Sequence, residues 1–217
     1  MDGISYYDIR HVTGQSTHID IDNGVIESAG TSFFDHAVIR ALSGRGWGIF
    51  TLDNFADTTE KEIEELIRNA GRTASITAEE VSLAERRRGM RDVPAMLEDP
   101  RDVGIDQKAD LLLSIERAAK IGGIVNTRAN YVERFEEVTF RDSCGAAEHY
   151  GICRSGFSIL AVASRNGSLQ MGYERRHSIR GLNIRHQQDL GRAAGERAVA
   201  LLSAQPARGG TMNAVLD

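Results

Sequence analysis

The chain has 217 residues, of which 41% are hydrophobic, enough to bury the core of one large domain or two small ones. Its 31 acidic and 26 basic residues give a formal net charge of -5, which excludes the strongly basic surface typical of nucleic-acid-binding or membrane-surface proteins. The sequence contains no long apolar run and no secretory signal at its start, and its two cysteines suit a reducing compartment, so we expect a cytoplasmic protein.

The first fifty residues predict β-strands. Ile19 and Ile21 alternate with polar neighbours, and Asn23-Gly24 supplies the positive φ angles of a tight hairpin turn before the chain returns in "VIESAG". Further strands are predicted at "YYDIRHV", "HAVIRAL" and "WGIFTL".

A helix is predicted from Asp57 onward, because apolar residues recur there at helical spacing. The stripe consists of Ile63, Leu66, Ile67 and Ala70. Asp57 with Glu60 forms a plausible capping box, and Gly71 is the expected stop. A second helix is predicted over residues 106–120, ending at Gly122-Gly123.

The segment between these helices, residues 82–104, is charged, contains two prolines and shows no sustained period, so we interpret it as a mobile connection. Its basic run, Arg86 to Arg88, fits either a phosphate-binding patch or a solvated surface. Neighbouring acidic residues favour the solvated surface.

From residue 123 to about residue 178 the pattern predicts a meander of four or five long strands, with a hairpin turn at Asn166-Gly167. The strand "FSILAVA" is apolar on both faces, which predicts a central position covered on both sides. A closing helix is predicted over residues 187–203, and its Gly191 and Gly195 suggest close packing of the helix backbone against the sheet.

The order of these elements predicts an α+β fold, in which a largely antiparallel β-sheet packs with about three helices. Two strand-rich blocks, each associated with helices, suggest a duplicated β-α unit, although no convincing sequence repeat accompanies them.

Candidate chemical sites are sparse. Cys144, His149 and Cys153 fall within ten positions and are possible soft-metal ligands, but their spacing matches no standard zinc signature, and buried thiols explain them more simply. "SGRGWG" precedes a strand, so a hairpin turn explains it better than a phosphate loop, and no catalytic triad or His-Glu-x-x-His motif is present. We therefore predict no catalytic and no metal-binding residue in this chain, and its substrate-binding residues stay unassigned.

Five segments occur in order along the chain: "IDNGVIESA", "GWGIFTLDN" with the Glu-rich helix after it, "NTRANYVERFEEVTFRDSCG", "RNGSLQMGYERRHSIRG" and "LGRAAGERAVALLSAQPARGGTMNAVLD". Together they resemble the N-terminal domain of the TldD/PmbA family of metallopeptidases. The resemblance covers nearly the whole chain. One departure is Asp-Ser-Cys-Gly at residues 142–145, where the family commonly carries Asn-Ser-Asp-Gly.

The resemblance implies that residues 1–210 form the N-terminal domain and that residues 211–217 begin the first strand of a missing C-terminal metallopeptidase domain. In the family, that later domain carries His-Glu-x-x-x-His, which with a cysteine holds zinc. No cofactor is therefore expected in this chain, and no catalytic residue transfers onto it. The implied partner is a TldD- or TldE-type subunit in a dimer, and the implied substrate is a peptide or unfolded protein.

The leading hypothesis is a non-catalytic domain of a zinc metallopeptidase, which is inactive alone and shapes the chamber, substrate and partner contacts. An antiparallel sheet offers an edge to which an extended peptide can add, and "SLQMGYERR" is a candidate for that edge. The alternative is a stand-alone binding or regulatory module of the same fold, and the codons after Asp217 would separate the two. A third reading makes Cys144, His149 and Cys153 an independent metal site, testable by elemental analysis.

Overall fold

The molecule is built on one six-stranded antiparallel sheet, seen in a computed structural model that describes residues 3–44, 46–74, 76, 81–84, 93–205, 209–211 and 213. The strands are β1 (Ile4–Asp22), β2 (Val25–Ser43), β3 (Gly46–Asp53), β4 (Ile124–Asp142), β5 (Ala147–Arg165) and β6 (Ser168–Ser178). Their spatial order is β3-β2-β1-β4-β5-β6. The helices are α1 (Glu60–Ala74), α2 (Ile105–Ala119) and α3 (Gln188–Leu201). The predicted α+β fold is confirmed.

Two 19-residue strands, β1 and β2, replace four of the short strands predicted for the first block, whereas "WGIFTL" forms the separate strand β3. The segments "YYDIRHV" and "HIDID" belong to one 19-residue strand, β1, and "VIESAG" and "HAVIRAL" both belong to β2. The polar stretch in the middle of β1 breaks the apolar alternation but not the strand, because β2 and β4 pair with β1 on both sides along most of its length. The Asn23-Gly24 and Asn166-Gly167 turns are confirmed, with positive φ at all four residues.

Two apolar clusters lie between the sheet and the helices. The smaller joins Ile9 and Ile39 of the sheet to Ile63 and Ile67 of α1. The larger gathers side chains of α2 and α3 over β4 and β5, with Tyr131 and Phe157 among its largest fully buried members. The clusters draw on one face of the sheet, called here the helix-bearing face. The opposite face is called the helix-free face.

The strand "FSILAVA" is covered on one side, not on both. In β5, Phe157, Ile159 and Ala161 are buried beneath the helices, whereas Leu160 and Val162 are only half-buried on the helix-free face. β5 is also the neighbour of an edge strand, not a central strand. The apolar residues on its second face therefore line a surface, which the sequence interpretation placed in the core.

Gly191 and Gly195 of α3 permit close packing against α2, not against the sheet. A Cβ at Gly191 would lie 1.9 Å from the carbonyl oxygen of Ile115, and one at Gly195 would lie 2.6 Å from that of Ala119. The two helices therefore approach each other through backbone contact.

The sheet is continuous across its middle, where β1 pairs with β4. Five of the seven residues of the predicted strand 211–217 and the whole Arg86 to Arg88 run lie outside the described residues. The boundary between residues 1–210 and 211–217 thus stays a prediction.

No helix among the described residues is long and apolar enough to cross a membrane.

Candidate functional site

The three candidate soft-metal ligands do not converge. Cys144 is exposed in the turn between β4 and β5, and the ring of the exposed His149 lies 3.2 Å from the Thr139 hydroxyl. Cys153 is buried on the helix-bearing face, where burial, and secondarily the charge of Glu133, raises the pKa of its thiol to about 11. Within the described ranges no three His, Cys, Asp or Glu side chains are grouped as a metal ion requires.

A buried polar cluster lies beside Cys153. Lys108 of α2 forms an ion pair of 2.7 Å with Glu133 of β4, and both side chains are almost fully buried. The carboxylate of Glu133 also accepts hydrogen bonds from Tyr131 at 2.6 Å and from Thr17 at 3.2 Å. Burial and the hydrogen bond to Glu133 raise the pKa of Tyr131. These groups satisfy one another beneath α2, so we assign them a structural role.

A polar recess of about 310 Å³ lies on the helix-free face, where the middle strands β1, β2, β4 and β5 meet. Its floor is an ion pair in which the Arg40 guanidinium donates to both carboxylate oxygens of the buried Asp8, at 2.9 and 2.7 Å. Burial, followed by the charges of Asp8 and Asp142, raises the pKa of the neighbouring Tyr6 to about 12. The two charges at the floor of this recess, those of Arg40 and Asp8, are thus already paired with each other.

The outer edge of β6, at one end of the sheet, is a further candidate site. Among the described strands, β6 pairs with β5 alone, so its outer edge presents main-chain groups that no strand satisfies. Leu169, Met171 and Tyr173 point to the helix-free face, with exposed fractions of 62, 62 and 48%. Gly172 points to the other face, where a Cβ would lie 2.0 Å from the Ala194 carbonyl oxygen of α3.

The apolar side chains of β6 continue onto β5. Met171 is paired with Val162 and Tyr173 with Leu160, so four apolar side chains form a patch beside the edge. We call this patch and the free edge the β6 surface. It confirms that "SLQMGYERR" is an edge strand, and the half-buried alternate residues of "FSILAVA" form its inner part. The sequence signal for this surface is the alternation of Leu169, Met171 and Tyr173 with more polar neighbours, whereas Gly172 marks the close approach of α3 on the other face.

Two family models match the chain. The PmbA/TldA metallopeptidase domain 1 matches residues 7–74, and the PmbA/TldA metallopeptidase central domain matches residues 98–202. A metalloprotease of Methanocaldococcus jannaschii is 29% identical over 221 residues, covering 98% of this chain and 48% of its own length. The chain thus spans about half the length of the curated relatives it matches.

Solved structures share the fold. A proposed modulator of a DNA gyrase from Thermotoga maritima superposes with a TM-score of 0.79 at 13% identity, covering 94% of this chain and 46% of that one. TldE from Thermococcus kodakarensis gives a TM-score of 0.70 at 17% identity, covering 90% and 43%. At these identities the likeness establishes the fold alone.

Proposed function

This chain belongs to the PmbA/TldD family of metallopeptidases, and from that premise we propose that it serves as a non-catalytic part of a zinc metallopeptidase that degrades peptides or unfolded proteins. Its part is to hold extended peptide and to contact the partner subunit. The observation that carries the proposal is the β6 surface, which combines a free strand edge with exposed apolar side chains.

Strand addition suits a peptidase that handles unfolded chains. An extended peptide paired with β6 would satisfy the main-chain groups of the edge through hydrogen bonds that do not depend on peptide sequence. Alternate side chains of such a peptide would lie beside Met171 and Tyr173 on the helix-free face. Binding through the main chain with loose apolar contacts gives broad selectivity, which unfolded substrates require.

The residues described here do not fit the zinc of a metallopeptidase. Cys144 and His149 are exposed, Cys153 is buried, and no group of three suitable ligands is found in the part of the chain that the structure describes. We therefore assign no zinc ligand and no catalytic step to these residues. In the proposal, the zinc-binding histidines belong to the family's metallopeptidase domain, and the enzyme pairs two TldD/TldE-type subunits in the cytoplasm.

The test measures both binding and cleavage by the 217-residue chain. A labelled, neutral, apolar hexapeptide is titrated into the chain with added zinc, and we expect saturable binding without cleavage. Met171→Asp is expected to weaken binding about tenfold, because it places a charge in the apolar patch beside the edge. A peptide N-methylated at alternate residues is expected to bind as weakly, because it cannot donate the ladder hydrogen bonds.

Ile49→Asp is the matched control. Ile49 lies on the opposite edge strand, β3, and is 56% exposed, so the same charge enters a comparable surface away from β6. Binding unchanged by Met171→Asp, equal loss in both variants, or zinc-dependent cleavage by the chain itself would each overturn the proposal.

A further inference from the structure

A second recess lies on the helix-bearing face, at the middle of the sheet. It has a volume of about 350 Å³, its floor is formed by β1, β2 and β4, and Arg101 lies at its wall. The two apolar clusters stop short of it, because the middle of β1 carries polar residues where both ends carry isoleucine. We call this recess the central cleft.

The strand register arranges the floor of the central cleft in two rows. Asp35 and Glu137 flank Thr13 in one row. Phe33 and Phe135 flank Gln15 in the next row. Because neighbouring strands lie about 4.8 Å apart, the flanking residues of each row are roughly 10 Å apart, and the rows are separated by about 7 Å along the strands. The row that contains the two carboxylates therefore lies beside the row that contains the two phenyl rings, and the distance between the rows is about the width of one side chain.

The central cleft has an excess of negative charge. Burial alone would raise the pKa of Asp35, but hydrogen bonds from the Ala56 amide and the His11 ring hold that pKa below its ordinary value. The guanidinium of Arg101 is paired with Asp99 through three contacts of 2.6 to 3.0 Å, so its charge is already compensated.

Glu137 supplies the second carboxylate. It is exposed, and within the described residues its carboxylate makes no hydrogen bond or ion pair. Asp99 raises the pKa of Arg101 most, and the charge of Glu137 adds to that effect, which indicates that Glu137 lies near the cleft wall. The cleft thus offers carboxylate oxygens to a cation, and those of Glu137 are available for direct contact.

The aromatic row supplies a complementary surface. The Arg101 guanidinium carbon lies 3.7 Å from the centre of the Phe135 ring, so one cation already stacks on this row. Phe33 is 78% exposed and, among the described residues, has no ring or cation against it. An exposed phenyl ring lies here within a side chain's length of carboxylates. A ligand group with an apolar stem and a cationic tip could pack its stem on the ring and bring its tip to the carboxylates.

We propose that the central cleft binds a basic side chain, arginine or lysine, of a peptide substrate. The charged tip lies between Asp35 and Glu137, and the stem packs against Phe33. The inference rests on the proposed peptide-holding function for the identity of the ligand, but it uses residues on the other face of the sheet from the β6 surface. The central cleft thus adds a preference for basic side chains to the sequence-independent binding at the edge of β6.

The experiment compares three labelled pentapeptides of sequence Gly-Gly-X-Gly-Gly, blocked at both ends, with arginine, citrulline or glutamate at X. Citrulline keeps the shape of arginine without its charge. At low salt we expect the arginine peptide to bind the chain at least about fivefold more tightly than the citrulline peptide, with the glutamate peptide weakest. Equal affinity of the arginine and citrulline peptides would overturn the inference.

Two variants of the central cleft and one control test whether the preference for arginine arises in the cleft. Glu137→Gln is expected to remove most of the preference for arginine over citrulline, whereas Glu196→Gln, the same change at an exposed position on α3, is expected to retain it. Phe33→Ala changes an exposed site and should leave folding intact. It is expected to weaken the binding of both the arginine and the citrulline peptide. An equal loss in Glu137→Gln and Glu196→Gln would assign the preference to overall charge and contradict the cleft.

The two proposals fail separately. If the apolar hexapeptide depends on Met171 while no pentapeptide shows a charge preference, the central cleft is not a site and the β6 surface stands. If the preference for arginine depends on Glu137 while Met171→Asp changes nothing, the cleft stands and the strand-addition role is wrong.

Discussion

At the scale of single residues, the main departure from the sequence interpretation is the buried pair of Lys108 and Glu133. Both lie in phase with apolar neighbours: Lys108 is one turn before Leu112 on the buried stripe of α2, and Glu133 alternates with Tyr131 in β4. A charged residue in phase with an apolar stripe on each element indicates that the two charges meet. The sequence contained this signal, but only the structure shows which helix lies over which strand.

Removing one partner of this pair should be costly. We expect Lys108→Met to lower the free energy of unfolding by about 3–5 kcal/mol, because it leaves the buried carboxylate of Glu133 without its counter-charge. The double variant Lys108→Met/Glu133→Gln should lose clearly less than the sum of the two single variants. Urea unfolding followed by circular dichroism measures all three.

The surface pair of Arg68 and Glu64 is the control for that experiment. Its atoms lie 3.6 Å apart and both side chains are about half exposed, so Arg68→Met should change the stability by less than about 0.5 kcal/mol. Additive effects of the Lys108 and Glu133 changes would show that the ion pair is not coupled in the folded protein.

At the scale of elements, the start of α1 differs from the prediction by a few residues. The capping box is formed by Thr59 and Glu62, not by Asp57 and Glu60. The Glu62 carboxylate accepts from the Thr59 amide at 2.8 Å and from its hydroxyl at 2.7 Å. Asp57 instead closes a short turn of Phe55–Asp57 before the helix. Gly71 does not end α1, which runs on to Ala74. It faces Ile4, whose side chain would have to shift to admit a Cβ.

Thr59→Ala should therefore destabilise the protein by about 1 kcal/mol, the usual cost of losing an N-terminal cap, while Asp57→Ala should cost a few tenths at most. The hydrogen bonds of Thr59 lower the pKa of Glu62, so the carboxylate stabilises the cap while it is ionised. As the pH falls below about 4, protonation of Glu62 should reduce the difference between wild type and Thr59→Ala. Thermal unfolding across pH 3 to 7 measures this. A larger loss in Asp57→Ala would restore the capping box first predicted.

The type and order of the elements could be predicted from the sequence. Which strands are neighbours in the sheet, and hence which side chains share a surface, could not. Helical spacing located α1, α2 and α3, and the two Asn-Gly dipeptides located two hairpins. The β6 surface and the central cleft depend on which strands are neighbours across the sheet. β1 pairs with β4, more than one hundred residues away, and that pairing brings Asp35, Thr13 and Glu137 into one row. Local periodicity contains no information about such a partner.

At the scale of the whole molecule, the two halves have the same plan. In each half a three-stranded meander is followed by a helix that packs on its last strand, and β1 joins β4 at the middle. The predicted duplicated unit therefore has a structural counterpart. It also has a short sequence trace: Arg-x-Ala-Gly-x-x-Ala occurs at residues 68–74 in α1 and again at residues 192–198 in α3.

The same contact holds each helix against its last strand. A Cβ at Gly48 of β3 would lie 1.8 Å from the Ala70 carbonyl oxygen of α1, and a Cβ at Gly172 of β6 would lie 2.0 Å from that of Ala194 in α3. Each glycine is paired across the sheet with a fully buried alanine, Ala41 or Ala161. Small residues at these positions let the helix backbone rest directly on the strand.

Gly48→Ala and Gly172→Ala should consequently destabilise the protein alike, each by about 2 kcal/mol or more, since the methyl group meets backbone that cannot rotate away. Gly122→Ala is the control, because a Cβ there meets nothing within 4 Å. Urea unfolding of the three variants measures the effect. If the sheet makes the halves one cooperative unit, both damaging variants should shift a single transition. A loss confined to one of them would mean that the repeated motif no longer performs the same packing in both halves.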